Sequence, residues 1–462
     1  MDKETLKNLL YKNESVADLA PETMAQADAF CEGYKKFLDN GKTEREACAY
    51  SEGLLKAAGY RPFVPGETLR PGDKIYWINR KKCVLAATIG KKSMAEGFHL
   101  NIAHIDAPRL DLRPVPLYES SDLAFLRTHY YGGIRKYQWP TIPLALHGVI
   151  YRADGSCVEI NIGEKDEDPV FCITDLLPHL GAKQGEKKLN DAIPGENLNV
   201  LVASRPVEDK ELENRVKLNV LKMLYEAYGI AEKDFINAEI EVVPAFKARD
   251  IGLDRAMIGS YGHDDRVDAY PALMAEIETK DPAYTTVCVL TDKEETGSDG
   301  VTGLNSMYTF HFLQQLCAAQ GVDYITAFQA SKCLSADVTA AYDPNFADAF
   351  EPSNSTYAGR GIAVYKYTGA RGKSSTNDAP AELVSYLTRL MDRNQIVWQI
   401  GELGKIDLGG GGTVAKYVAN QDIDTIDIGV PVLAMHAPYE IVSKVDVYMA
   451  YRTFKAFCED AE

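Results

Sequence analysis

The sequence predicts a layered α/β fold carrying a β-rich insertion, on three observations. The chain has 462 residues, roughly two to three times a typical domain, which calls for one large unit and a second module. Strand-type runs alternate with runs of helical periodicity in its first and last parts. Between about residues 110 and 244 the texture changes to short β-like runs separated by charged and polar loops. Apolar residues make up 46% and charged residues 25%, enough hydrophobic surface for a sizeable core and too much for a disordered chain.

Taken in order, residues 17–38 and 43–58 carry apolar side chains at helical spacing, with Gly41 and Gly59 where helix C-caps are expected. Residues 74–79, 83–89 and 98–105 follow as β-rich runs, and the last ends in Ala103-His104-Ile105-Asp106-Ala107-Pro108. A strand thus delivers His104 to its end. Within the insertion, 144–151 and 157–162 read as strands, followed by the loop Gly163-Glu164-Lys165-Asp166-Glu167-Asp168 and a polar stretch at 183–188. Strands are expected again at 238–243 and 285–290, and helices at 269–278 and 307–319. Further on, 361–367 is extended and 381–392 helical, and Asp407-Leu408-Gly409-Gly410-Gly411-Gly412 is a loop before a helix-like 413–419. No internal repeat or low-complexity tract occurs.

The longest apolar stretches, such as 75–78 and 287–290, fall far short of the roughly 20 residues of a membrane helix. Met1-Asp2-Lys3-Glu4-Thr5 is charged and lacks the apolar core of a secretory signal, so a cytoplasmic location is expected. Nine cysteines are scattered singly with no Cys-x-x-Cys pair, which argues for reduced thiols and against a thiolate metal site. A formal charge of −17 repels nucleic acid and anionic membranes, and neither is expected as a partner.

Five short segments place an acid or a histidine at a strand end or in a loop: His104-Ile105-Asp106, His263-Asp264-Asp265, Lys293-Glu294-Glu295-Thr296-Gly297, Ser335-Ala336-Asp337 and Ala434-Met435-His436. Open α/β sheets gather ligands at the carboxyl ends of strands, so the five can converge on one crevice. Imidazole and carboxylate donors without thiolates suit zinc, with cobalt or manganese as substitutes, and a shared carboxylate can hold two ions about 3.5–4 Å apart. Asp106 has the position to accept the second ring N–H of His104, fixing its tautomer. Glu294 and Glu295 are adjacent, so both reach one site only where the strand has ended. One carboxylate then binds metal while the other is free as a general base on a water acidified by the metals, a division that suits peptide hydrolysis.

That ordered set resembles the aspartyl aminopeptidase/aminopeptidase I family of dizinc metallo-aminopeptidases, over most of the chain and most closely in the catalytic segments. The resemblance implies a mixed-sheet exopeptidase domain with helices on both faces, formed by residues 1–108 and 245–462, and an inserted β-rich dimerisation domain at 109–244. It implies two zinc ions per subunit held by His104, Asp264 as the bridging ligand, Glu295, Asp337 and His436. Glu294 falls on the general base and Asp106 on the orienting partner of His104. It also implies that dimers assemble into a tetrahedral dodecamer acting on peptide N-termini.

Pro143-Leu144-Ala145-Leu146-His147 resembles a segment whose histidine reaches the neighbouring subunit, which assigns His147 to substrate or transition-state binding in trans; by its residues alone it is equally a half-buried strand histidine. Lys366 lies where aspartyl members place a lysine near the substrate, and Lys373 where they have a tyrosine; either could attract an acidic first side chain. The chain departs from the pattern at Ala340 and Asp343, where histidines are usual, and at Asp265-Arg266. A metal-dependent amidase or deacylase on small amides, and a non-catalytic assembly protein, are the rival expectations.

Overall fold

The computed structural model describes residues 1–7, 9–10, 15–16 and 19–462. At its centre four parallel strands stand side by side: Thr285–Thr291, Phe98–His104, Lys332–Ala336 and Asp424–Gly429. Beyond Thr285–Thr291 the sheet continues through antiparallel Cys83–Thr88 and Lys74–Asn79 to the short Arg61–Pro62. Beyond Asp424–Gly429 it continues through antiparallel Ile362–Tyr365 to Trp398–Ile400, making a mixed sheet of nine strands.

Helices cover both faces, which is why Cys83–Thr88 and Thr285–Thr291 are buried throughout and do not alternate apolar with polar residues. Alternate side chains enter two separate cores. Val84, Ala103, Leu290 and Leu334 join the core under Pro21–Asn40, Glu44–Ala57, His263–Glu278, Ala381–Arg393 and Lys444–Glu459. Leu85, Ile102, Val289 and Cys333 join the core under Tyr308–Ala319 and Ala415–Ala419. Leu85 is fully buried, and its truncation to alanine would cost about 2–5 kcal/mol.

The first long helix begins at Pro21, a residue suited to the first turn, rather than at 17; residues 17 and 18 lie outside the described residues. Gly41 follows it with φ −132, outside the left-handed region, and Gly59 (φ +85) lies one residue past the cap Ala58 of the second helix. That second helix, Glu44–Ala57, opens on a capping box in which Thr43 and Glu46 satisfy each other's backbone N–H.

The middle of the chain forms a six-stranded antiparallel sheet in the order Cys157–Ile162, Leu144–Tyr151, Ala238–Pro244, Arg109–Ser120, Leu123–Tyr131, Val200–Ala203. Helix Arg215–Tyr228 packs Val216, Leu221 and Leu224 into its core. The two longest strands and this helix were not evident in the sequence pattern. Arg109–Ser120 contains Pro114 and Pro116, which cannot donate to a ladder, and its pairing with Leu123–Tyr131 shifts register between Leu112 and Leu117.

A third sheet, Arg249–Ile251, Met257–Ser260, Glu440–Ser443, Pro431–Leu433 and Thr339–Ala340, supplies two of the loops that carry site residues. Among the described residues no helix is long and apolar enough to cross a membrane.

Candidate metal centre

Three of the parallel strands end at one level, because Thr291 pairs with His104 and Ser335 with Ile102. His104, the turn Glu294–Thr296 and Asp337 therefore leave the large sheet together, at its carboxyl edge. Strand Met257–Ser260 leads into helix His263–Glu278, at whose head Asp264 departs from helical dihedrals (φ −77, ψ 110). His436 (φ 64) sits in the connection between the antiparallel strands Pro431–Leu433 and Glu440–Ser443.

Each oxygen of Asp264 faces a different histidine. Oδ1 is 3.2 Å from His104 Nε2, and Oδ2 is 3.1 Å from His436 Nε2. Asp337 Oδ1 lies 3.8 Å and Glu294 Oε2 4.0 Å from His104 Nε2, while Glu295 Oε2 lies 3.6 Å from His436 Nε2. Donor atoms of His104, Asp264 and Glu295, and again of His104, Glu294 and Asp337, come within 4.8 Å of one another.

The other side of each ring is committed to hydrogen bonding. His104 Nδ1 is 3.0 Å from the Asp106 carbonyl oxygen and 3.2 Å from Oδ1 of its carboxylate, so its N–H points there and Nε2 is left to ligate. His436 Nδ1 donates to the carbonyl of Gly133 at 2.8 Å. The Asp106 carboxylate also accepts from the backbone N–H of Glu294 (3.1 Å) and of Glu295 (3.2 Å). That grip on a short turn past the strand end lets adjacent glutamates both enter the site.

The electrostatics are those of a cluster in which buried carboxylates outnumber the imidazoles. Burial, reinforced by Asp337, pushes Glu294 up to about 8, and burial with the charge of Asp264 pushes Glu295 well above the carboxylate range. Burial alone would depress both histidines, yet Asp106, Asp264 and Asp337 hold His104 well above its ordinary value, and Glu295 and Asp264 raise His436 to about 11. His104 Nε2 and Asp264 Oδ1 face each other at 3.2 Å without hydrogen-bond geometry, and Glu295 Oε1 is likewise buried without a hydrogen bond among the described residues. Unpaired buried donors and acceptors of this kind are costly, and nitrogen and oxygen ligands without thiolate fit zinc.

The family described as Aminopeptidase I zinc metalloprotease (M18) matches residues 37–458. The chain belongs to that family. It is 47% identical over 445 residues to a probable M18 family aminopeptidase 1 of Clostridium acetobutylicum, covering 94% of this chain and 95% of the other. The crystal structure of the M18 aminopeptidase of Thermotoga maritima superposes with a TM-score of 0.93 at 40% identity, over 97% of this chain and 100% of the other. A solved S. cerevisiae mApe1 dodecamer shares the fold at 20% identity, with a TM-score of 0.76 over 94% of this chain and 97% of the other. The protein is thus a metal-dependent aminopeptidase of the zinc metalloprotease class.

Beside this M18 centre lies a cavity of about 470 Å³ lined by Asp264, Glu294, Glu295, Asp337 and His436 together with Leu403, the Gly410–Gly411–Gly412 run and Lys416. Neither lysine singled out from the sequence lines it. Lys366 is exposed, and Lys373 pairs with Asp378 at 2.9 Å and borders a smaller neighbouring cavity. The cation that does line the catalytic cavity is Lys416.

His147 is not gathered into the cluster either. It is 1% exposed on strand Leu144–Tyr151, donating from Nδ1 to Glu46 at 2.8 Å and from Nε2 to Glu164 at 3.0 Å. Both ring nitrogens are thus hydrogen-bonded inside its own chain. Sequence reasoning missed Glu440, fully buried, whose carboxylate accepts from the backbone N–H of Asp264 (3.1 Å) and of His436 (2.7 Å). Its only signal was an acid opening a strand four residues after His436.

Proposed function

We propose that the chain removes the N-terminal residue of peptides with the help of two zinc ions, for which Asp264 would be the shared ligand. The observation that carries this reading is the approach of the two Asp264 oxygens to two different histidines. His104, Asp264 and Asp337 would hold one ion, and His436, Asp264 and Glu295 the other. When bound, the ions supply Lewis acidity toward the scissile carbonyl and lower the pKa of water in the site.

The chain's own groups do the rest. Glu294 is the carboxylate left over, and it takes a proton from the attacking water and passes it to the leaving amine. Asp106 keeps the His104 tautomer and the Glu294–Glu295 turn in place. The free α-amine of the substrate is drawn to the surplus of carboxylates, which also explains exopeptidase action. Lys416 lines the cavity, which supports reading it as a cation that meets an acidic first side chain.

Residues 109–244 are read as the subunit-pairing module of a dodecamer built from dimers with tetrahedral symmetry. Exposed Val115, Leu176, Leu177 and Leu180 in that segment support an interface there. Nine free cysteines, most of them buried, agree with a cytoplasmic setting.

Dipeptides offered with a free or an acetylated N-terminus test the activity. The free forms should be cleaved, the blocked forms ignored, and a chelator should abolish turnover. Cleavage of acetylated dipeptides at a comparable rate would point to a deacylase or amidase instead.

A further inference from the structure

We propose that Tyr131, Gly132 and Gly133 form a positioning clamp through which the six-stranded sheet holds both halves of the metal centre of its own chain. The inference rests on the two-ion reading above and extends it from the ligands to what orients them.

Tyr131 is the last residue of strand Leu123–Tyr131, and Gly132 and Gly133 follow it past the strand end against the site. The Tyr131 hydroxyl donates to Asp106 Oδ2 at 2.7 Å. Asp106 is fully buried and makes three links on the His104 side: it faces the His104 ring and caps the N–H groups of Glu294 and Glu295. Tyr131 supplies the one side-chain hydroxyl on that carboxylate among the described residues.

The phenol ring is itself held in place. The Arg109 guanidinium lies 3.8 Å from its centroid, and Arg109 is fixed by Asp111 (2.9 Å), Glu241 (3.1 Å) and Glu44 (3.3 Å). A buried, ion-paired cation over the ring face and a carboxylate at the hydroxyl leave the side chain one orientation.

The next two residues serve the His436 side. Gly132 has φ +72, and a Cβ there would lie 3.2 Å from Glu295 Cβ and 3.3 Å from Glu295 Oε2. A Cβ on Gly133 would lie 3.2 Å from His436 Nδ1, the atom that donates to the Gly133 carbonyl. Backbone approaches both ligands closely here, and a Cβ at either position would press on the ligand and shift it by a few tenths of an ångström. One tripeptide thus touches Asp106, Glu295 and His436, so the sheet that the family resemblance assigns to subunit pairing also completes the site within its own chain.

Partners that orient metal ligands typically govern affinity by about 10–100-fold when removed. The test is zinc retention by the purified holoenzyme across a chelator series, with zinc per chain counted after equilibration, beside kcat and KM on a dipeptide amide. Tyr131→Phe keeps the ring and its Arg109 contact and removes only the hydroxyl, so the fold is preserved.

Tyr131→Phe is expected to release zinc at a chelator concentration about tenfold lower than wild type, with kcat reduced and KM little changed. Gly133→Ala should likewise release zinc early. Tyr118→Phe, a phenol elsewhere on the same sheet, should match wild type. Wild-type retention and kcat in Tyr131→Phe would overturn the clamp while leaving the two-ion reading intact. A wild-type enzyme that never holds two zinc ions would overturn that reading, and the clamp with it.

Discussion

Two clusters in this molecule are built from the same residue types and do opposite things. Around Asp264, two histidines meet the carboxylates of Asp106, Asp264, Glu294, Glu295 and Asp337, and three buried donor atoms lack partners. Around His147, Glu46 and Glu164 meet one histidine and the ammonium groups of Lys42 (2.5 Å) and Lys247 (2.7 Å). No atom of His147, Glu46, Glu164 or Lys42 is buried without a hydrogen bond. The first cluster has five carboxylates against two imidazoles; in the second the carboxylates are matched by cations of its own chain, and it holds helix Glu44–Ala57 to the six-stranded sheet. Charge balance distinguishes these two clusters where residue type does not.

The contrast can be broken from either side. Removing the general base should have the largest effect: Glu294→Gln lowers kcat by about 10²–10⁴-fold while the zinc content stays at the wild-type level. Near-normal turnover would take the base role away from Glu294.

In the second cluster the loss should fall on stability. Glu164→Ala leaves the buried Lys42 and His147 facing no carboxylate on that side, and unfolding free energy should drop by about 3 kcal/mol. Zinc content should not change. Urea unfolding together with metal analysis separates the two, and a loss of zinc with intact stability would erase the distinction.

The smallest effect expected is a pH window. Burial opposes the charge on His147, but Glu164 and Glu46 raise its pKa above 6.5, so its contribution is complete below 6.5 and is lost as pH climbs through the raised value. Burial opposes the charge on Glu164 too, yet His147, Lys42 and Lys247 bring it down to about 2, so its contribution is complete above 4.5 and is lost as pH falls toward 2. The stability difference between wild type and His147→Gln should therefore be greatest between those two values and shrink on both sides. A difference that grows with pH above 6.5 would mean that the imidazole is neutral in the tie.

Legibility in the sequence followed the same physical line. The parallel strands were readable because burial on both faces leaves runs such as Thr285–Thr291 with little polar interruption, and strand ends followed by acids pointed to one crevice. Arg109–Ser120 was hidden by its prolines, since a strand that bends and shifts register does not alternate cleanly. Tyr131 and Glu440 act through hydrogen bonds to Asp106 and to the backbone of Asp264 and His436, at sequence separations of 25 and 176 for Asp106 and Asp264, which no local pattern encodes. The internal ties of His147 were hidden for a related reason: Glu46, one of its partners, lies 101 residues earlier.

The central claim is that Asp264 joins two ions, and metal analysis of Asp264→Ala after exhaustive buffer exchange tests it most directly. Wild type should carry two zinc ions per chain and the variant none, with its fold retained by circular dichroism. A variant that keeps its full complement of zinc would contradict the account.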